Sequence, residues 1–193
     1  MRSIVCLLAL ALLAGCDRQE APAPQANNDV AAAASAGGPA LPTKGVDRTK
    51  AGTPAPDVVF QNPDGGAFDL TKFKGTPVLV NLWATWCAPC VKELPTLQKL
   101  DETHAVDGNL GIAIVSQDMG PKTSVDAFLK SKGIGLRSYL DPEMKLTGAL
   151  GVEVMPTTIL YDAQGREVWR YVGDLDWTGE EAKKLLAEVA PKG

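Results

Sequence analysis

Two cysteines in the stretch ATWCAPC, residues 84–90, are the side chains of this chain best suited to chemistry. A cysteine pair can bind a metal ion, stabilise a fold or exchange electrons. A structural zinc site normally needs four ligands, whereas the chain after residue 16 offers only Cys87, Cys90 and the distant His104. A structural disulfide would close a loop of four residues, which constrains the unfolded chain very little. The spacing therefore favours thiol–disulfide exchange.

The elements predicted around this pair place Cys87 where a strand ends and a helix begins. Residues 77–83, PVLVNLW, are a nearly continuous apolar run, which is typical of a strand buried on both faces. Residues 91–105 carry apolar side chains at helical spacing, and we expect Pro95 to kink this helix. The free N–H groups and the dipole at a helix N-terminus favour negative charge. They should favour the reactive thiolate of Cys87, with Cys90 one turn further on and within reach of it.

The rest of the chain predicts an α/β domain. DVVF and AFDL flank the turn-rich QNPDGG, which predicts a β-hairpin before the first buried strand. A second hairpin is predicted over residues 157–172, and a last helix begins where Thr178 and Glu181 match a capping box. From the first buried strand onward, the order β-α-β-α-β-α-β-β-α indicates a three-layer α/β/α sandwich with a mixed central sheet.

The N-terminal region differs in composition from this domain. Residues 1–15 combine a basic start, a short apolar run and small residues before Cys16, as a secretory signal peptide does. The ending LAGC resembles the lipobox of bacterial lipoproteins, which implies that Cys16 is lipidated and becomes the mature N-terminus. Residues 16–53 contain almost no bulky apolar side chain, so we expect a disordered tether. The folded domain is expected over residues 54–193.

Three motifs, NLWATWCAPC, KELP and VMPTT, together resemble those of the thioredoxin superfamily. The resemblance covers about residues 54–190 and points to the membrane-tethered, periplasm-facing reductases of the ResA, TlpA and DsbE kind. It implies a thioredoxin-like fold and a redox-active Cys87–Cys90 disulfide, in which Cys87 attacks and Cys90 resolves. It also implies that Trp86 flanks the site, that Pro156 follows a cis peptide bond, and that the Met155 backbone binds an extended segment of the client protein.

A proton carrier for the cysteines has to be found outside the core strand. Cytosolic thioredoxins carry a buried aspartate where this chain has Asn81, and an amide cannot exchange a proton. The resemblance points instead to Glu93, which lies three residues after Cys90 and hence on the same helical face. Burial would raise the pKa of this carboxyl and let it exchange a proton with Cys90. The alternative is a solvated helix glutamate, because Lys92 beside it shows that polar side chains are tolerated there.

The sequence therefore predicts an enzyme, an extracytoplasmic and lipid-anchored thiol–disulfide oxidoreductase. The resemblance implies a protein-disulfide reductase with clients such as apocytochrome c or copper-site assembly factors, supplied with electrons by a membrane thiol donor. No cofactor or metal is expected, because the dithiol itself stores two electrons. A disulfide-generating oxidase of the same fold stays open as an alternative. A copper-binding metallochaperone is disfavoured by the two-residue spacing and by the position of His104.

Charge and targeting features define the expected surroundings. The formal net charge of −4 and the lack of a basic stripe argue against a nucleic-acid partner. We expect a monomer in the cell envelope that faces the periplasm and contacts the membrane through lipidated Cys16. Asp17, directly after that cysteine, resembles a retention signal of some bacteria and favours the inner membrane.

Overall fold

Residues 43–104 and 108–189 are described by the structure, a computed structural model, and this part of the chain contains eight strands and four α-helices. The strands are β1 (Gly45–Asp47), β2 (Phe60–Gln61), β3 (Ala67–Phe68), β4 (Val78–Trp83), β5 (Gly111–Ser116), β6 (Tyr139–Leu140), β7 (Thr157–Tyr161) and β8 (Glu167–Val172). The helices are α1 (Ala88–His104), α2 (Lys122–Ser131), α3 (Lys145–Leu150) and α4 (Glu180–Leu186), and a short 3₁₀ helix spans Leu70–Phe73.

These strands form one sheet in the order β1-β8-β7-β4-β5-β6-β2-β3. β4 runs parallel to β5 and β5 parallel to β6, whereas all other neighbouring pairs are antiparallel. The two predicted hairpins are present as β2–β3 and β7–β8. The sheet is therefore mixed, as the sequence predicts.

β4 lies in the middle of the sheet and separates two cores. Val78, Val80 and Leu82 point into the core that α3 covers. Leu79 and Trp83 point into the opposite core, which α1, α2 and α4 cover. Successive side chains of a strand point to opposite faces, so a strand that is apolar at every position except Asn81 can serve both cores. Helices on both faces give the three-layer α/β/α sandwich, and the predicted fold class is confirmed.

Helix α1 starts at Ala88, directly after Cys87, and continues through Pro95 to His104. Its buried side chains are Cys90, Glu93, Leu94, Leu97 and Leu100. Their spacing of three and four residues keeps them on one face of the helix. This face packs on the sheet, so the second cysteine and the glutamate are both held inside the protein.

The predicted domain boundary at residue 54 is wrong, because the sheet begins earlier. β1 lies within the predicted tether of residues 16–53, and it pairs with β8 from Gly45 opposite Val172 to Asp47 opposite Arg170. Backbone hydrogen bonds also join Gly52 N–H to the Glu167 carbonyl at 2.7 Å. An edge strand presents unpaired backbone groups to any extended segment, so this pairing needs no bulky apolar side chain and leaves little trace in composition.

The predicted capping box at α4 is also wrong. The helix begins at Glu180 behind Gly179, and no side chain caps that end. The Thr178 hydroxyl instead donates a hydrogen bond to Asp176 Oδ1 at 2.6 Å, and the Thr178 N–H donates to the same oxygen. The Thr178 hydroxyl, which the capping box requires, is therefore bonded to Asp176 and does not cap α4.

Several predictions concern residues outside the described part of the chain. The signal peptide of residues 1–15, the lipidation of Cys16 and the tether up to residue 42 are among them. Within residues 43–104 and 108–189, no helix is both long enough and apolar enough to cross a membrane.

Candidate active site

The Cys87–Cys90 disulfide lies at the point where β4 passes into α1. The Cys87 N–H donates to the Ala84 carbonyl at 3.1 Å, and the Cys87 carbonyl accepts from the Val91 N–H at 3.0 Å. The Cys90 N–H donates to the Cys87 sulfur at 3.3 Å. Cys87 is 7% exposed and Cys90 is 0% exposed. The loop therefore leaves Cys87 slightly exposed and encloses Cys90 completely.

The loop between β4 and α1 is held by the end of the neighbouring strand. Asp118, just beyond β5, accepts hydrogen bonds from the Thr85 N–H at 3.0 Å and from the Thr85 hydroxyl at 2.6 Å. The residues that follow this contact on each side, Trp86 and Met119, are 66% and 84% exposed. Parallel strands end at the same edge of a sheet, so Asp118 could have been expected near the site, but the sequence analysis did not identify it.

The Met155–Pro156 peptide bond is cis, as the sequence analysis predicts. Pro156 precedes β7, which is antiparallel to β4 and pairs Thr157 with Leu82. The start of β7 therefore lies at the edge of the sheet where β4 ends and the cysteine loop begins. Pro156 is buried, and the partly buried Met155 packs against the apolar cluster that contains both cysteines. The fold thus brings the predicted client-binding pair to the disulfide.

Glu93 is 2% exposed, which excludes the solvated helix glutamate that the sequence left open. Its Oε1 accepts a hydrogen bond from Asn81 Nδ2 at 2.7 Å. Its Oε2 accepts from the Leu175 N–H and from the Trp177 indole N–H, both at 3.1 Å. Asn81 Nδ2 also donates to the Thr158 hydroxyl at 2.9 Å. The carboxyl is therefore anchored from the sheet on one side and from the loop before α4 on the other.

The surroundings of Glu93 place its titration near neutrality. Burial raises the pKa of this carboxyl from the ordinary 4.5 to about 7, although the hydrogen bonds from Asn81, Leu175 and Trp177 act to lower it. Desolvation is the larger effect because a buried carboxylate loses its water. A group with a pKa close to the working pH can both accept and donate a proton.

Of the other residues considered, some lie beside Glu93 and others lie far from the cysteines. Asn81 lies next to Glu93 as a hydrogen-bond donor, whereas His104 lies at the opposite end of α1 from the cysteines. Trp177 is buried and, beyond packing, donates to Glu93, a role that the sequence analysis missed. In the described part of the chain, no group of three or more His, Cys, Asp and Glu side chains is arranged to bind a metal ion.

Fold and site together define a thioredoxin-like protein with a redox-active cysteine pair, and its activity is that of a thiol–disulfide oxidoreductase. The Redoxin family model matches residues 50–187. The chain belongs to the Redoxin family.

Curated relatives agree with this assignment. The chain is 31% identical over 141 residues to a thiol-disulfide oxidoreductase ResA from Geobacillus thermodenitrificans, covering 72% of this chain and 78% of that protein. It is 32% identical over 125 residues to ResA from Bacillus subtilis, covering 64% and 68%.

A solved structure, the thioredoxin domain of a thiol-disulfide oxidoreductase from Bacteroides vulgatus, has the same fold with a TM-score of 0.61. It shares 23% identity, and the match covers 73% of this chain and 98% of that domain. The prediction of a thioredoxin-superfamily protein of the ResA and DsbE kind is confirmed.

Proposed function

We propose that this protein is an extracytoplasmic, lipid-anchored reductase that transfers two electrons from Cys87 and Cys90 to disulfides in client proteins. The observation that carries the proposal is the difference in exposure between the two cysteine residues, since Cys87 has some exposed surface and Cys90 has none. A client sulfur can approach Cys87 from outside. Cys90 can be reached only from within the loop, which suits a resolving thiol.

The proposed exchange consists of two successive displacements, in which electrons and protons balance. The Cys87 thiolate attacks one sulfur of the client disulfide, a mixed disulfide forms, and the other client sulfur leaves as a thiolate that takes up a proton. Cys90 then loses its proton and attacks the Cys87 sulfur, and the second client thiol leaves. The client gains two electrons and two protons, and the Cys87–Cys90 disulfide remains. A membrane thiol donor would reduce it again.

Glu93 is the proposed proton partner of Cys90 in the second displacement. It lies one turn after Cys90 on the buried face of α1, and its pKa of about 7 lets it be ionised when Cys90 needs a base. The proton then passes from the thiol to the carboxylate. Asn81 cannot replace it, because a carboxamide does not exchange a proton near neutral pH; its Nδ2 instead donates hydrogen bonds to Glu93 and Thr158.

Client binding is proposed at the edge of the sheet around Cys87. Trp86 offers an exposed indole beside the attacking sulfur. The backbone of Met155, before the cis bond to Pro156, would pair with an extended client segment, as in β-strand addition. Clients such as apocytochrome c or copper-site assembly factors are proposed from the resemblance to the ResA, TlpA and DsbE proteins.

The proposed location rests on the sequence of residues 1–53. A signal peptide over residues 1–15 and lipidation at Cys16 would anchor the domain on the periplasmic side, and Asp17 favours the inner membrane. Between Cys16 and β1 lie 28 residues, from Asp17 to Lys44. If they are flexible, a chain of that length has a root-mean-square reach of about 30 Å. That reach would hold a monomeric domain near membrane-bound donors.

The test combines trapping with a redox titration. Cys90→Ser should accumulate mixed disulfides between Cys87 and clients on non-reducing gels, whereas the matched Cys87→Ser should accumulate few. Equal trapping by both variants would contradict the assigned roles. Equilibration with a thiol buffer should give the Cys87–Cys90 pair a reduction potential close to that of thioredoxin, about −270 mV. The value for a strong oxidant is about −120 mV. A value at the oxidising end would favour the disulfide-generating oxidase.

A further inference from the structure

The loop between β8 and α4, residues 173–179, supplies two of the three hydrogen bonds to the Glu93 carboxyl. The Leu175 N–H and the Trp177 indole N–H both donate to Glu93 Oε2. The Trp177 backbone N–H donates to the Thr96 hydroxyl, one turn along α1, at 3.2 Å. These donors stabilise the charged form of the carboxyl. Their effect depends on the loop staying against α1.

Asp174, the residue before Leu175, connects the outer side of this loop to two lysines. Lys44 Nζ lies 2.6 Å from Asp174 Oδ1, and Lys92 Nζ lies 3.5 Å from Asp174 Oδ2. The hydrogen bond from Lys44 is the main cause that lowers the pKa of Asp174. The Lys44 stem also covers Gly173, where an added Cβ would lie 3.0 Å from Lys44 Cγ. Lys44 thus contacts the loop through charge and through packing.

A cavity of about 450 Å³ opens beside the same contacts and reaches Glu93. Besides Glu93, its lining contains titratable or charged side chains from every element packed there: Lys44, Lys92, Tyr171, Asp174, Asp176 and Glu181. The cavity therefore brings these side chains and Glu93 together on the side of the loop. Any movement of the loop changes both the donors to Glu93 and the lining of this cavity.

We propose that Lys44 and Asp174 are positioning residues that hold the 173–179 loop against Glu93 and thereby set the protonation of the redox site. The inference rests on the proposed role of Glu93 for its functional meaning, but not for its geometry. Lys44 directly precedes β1, so the contact joins the segment that enters the sheet to the proton carrier. No catalytic contact of Lys44 or Asp174 with the disulfide is implied.

If Asp174 acts by holding the loop, its removal should shift the Glu93 titration in one direction. If it acts only through its negative charge, its removal should shift that titration in the opposite direction. Its negative charge raises the pKa of Glu93, so loss of the charge alone should lower the pH at which Glu93 titrates. Release of the loop removes donors from the carboxylate and should raise that pH. For Lys44, loss of its positive charge and release of the loop should both raise the pH at which Glu93 titrates. Substitution of Asp174 is therefore the experiment that separates the two explanations.

The experiment follows the Glu93 carboxyl by ¹³C NMR against pH in the oxidised protein, where the disulfide cysteines do not titrate. Asp174→Ala should move the Glu93 midpoint upward, by up to about 0.7 pH unit, which is the range that an exposed ion pair can supply. Asp174→Asn is the matched control, because its amide oxygen can still accept from Lys44. It should show no upward movement. A downward shift in both variants would overturn the positioning role.

A second pair of variants tests Lys44 without altering a carboxylate. Lys44→Ala should raise the Glu93 midpoint and speed hydrogen exchange at the Trp177 indole N–H. Arg48→Ala also removes one cation from the N-terminal segment, but its partner is Glu188, at 2.7 Å, so it should change neither value. Unchanged exchange in Lys44→Ala would refute the loop contact. The NMR readout does not require client exchange, so a failure of the proposed reductase function would leave these results intact.

Discussion

Replacement of Glu93 by glutamine should change how the stability of the oxidised protein depends on pH. Glu93 is 2% exposed and its pKa is about 7, against an ordinary value of 4.5. The folded state therefore holds this proton more tightly than the unfolded chain, and unfolding releases a proton between pH 4.5 and pH 7. In this window the stability of the wild type should fall as pH rises.

The size of the effect follows from the two pKa values. At 1.36 kcal/mol for each pH unit, the interval from 4.5 to about 7 corresponds to about 3 kcal/mol. Below pH 4.5 the contribution is fully present, and above pH 7 it is lost. Glu93→Gln cannot ionise, so its stability should lack this loss. Its fixed cost at all pH values, from facing three donors with an amide, does not alter the slope.

Urea unfolding followed by tryptophan fluorescence measures this difference. Between pH 4.5 and pH 8, the stability of Glu93→Gln relative to wild type should rise by about 3 kcal/mol. Other titrating groups are common to both proteins and cancel in the comparison. Glu102→Gln, an exposed position on the same helix, should stay parallel to wild type. Parallel curves for wild type and Glu93→Gln would refute a perturbed carboxyl at this position.

Three further changes test other parts of the molecule. Cys16→Ala should shift the protein out of the membrane fraction or stall its processing, and a processed, membrane-bound variant would contradict lipidation. Arg170 Nε lies 2.7 Å from Glu167 Oε1, and both side chains are buried. Arg170→Met leaves Glu167 without this partner and should lower the free energy of unfolding, measured by urea denaturation, by about 3–5 kcal/mol. A loss under about 1 kcal/mol would count against a stabilising pair. Trp86→Ala should weaken client trapping by Cys90→Ser without changing stability by more than about 0.5 kcal/mol, and unchanged trapping would remove Trp86 from the client surface.

The chemistry of the site could be predicted from the sequence because it is local. Cys87 and Cys90 lie within one turn of each other, and the apolar run before them fixes the strand that leads into the helix. The cis bond before Pro156 was predicted from a motif rather than from any property of residues 155 and 156 alone. Glu93 was identified as a candidate from the family resemblance, supported by its spacing from Cys90, but spacing could not decide between a buried and a solvated carboxyl.

Only the tertiary structure determined what surrounds that carboxyl. Trp177 and Leu175 lie more than 80 residues from Glu93 in sequence and reach it because α4 and its preceding loop pack on α1. The pairing of β1 with β8 likewise depends on an edge that exists only once the sheet has formed. Local spacing fixes which groups can react with one another. Desolvation and long-range hydrogen bonds, which set the pKa of Glu93, arise only from the packed fold.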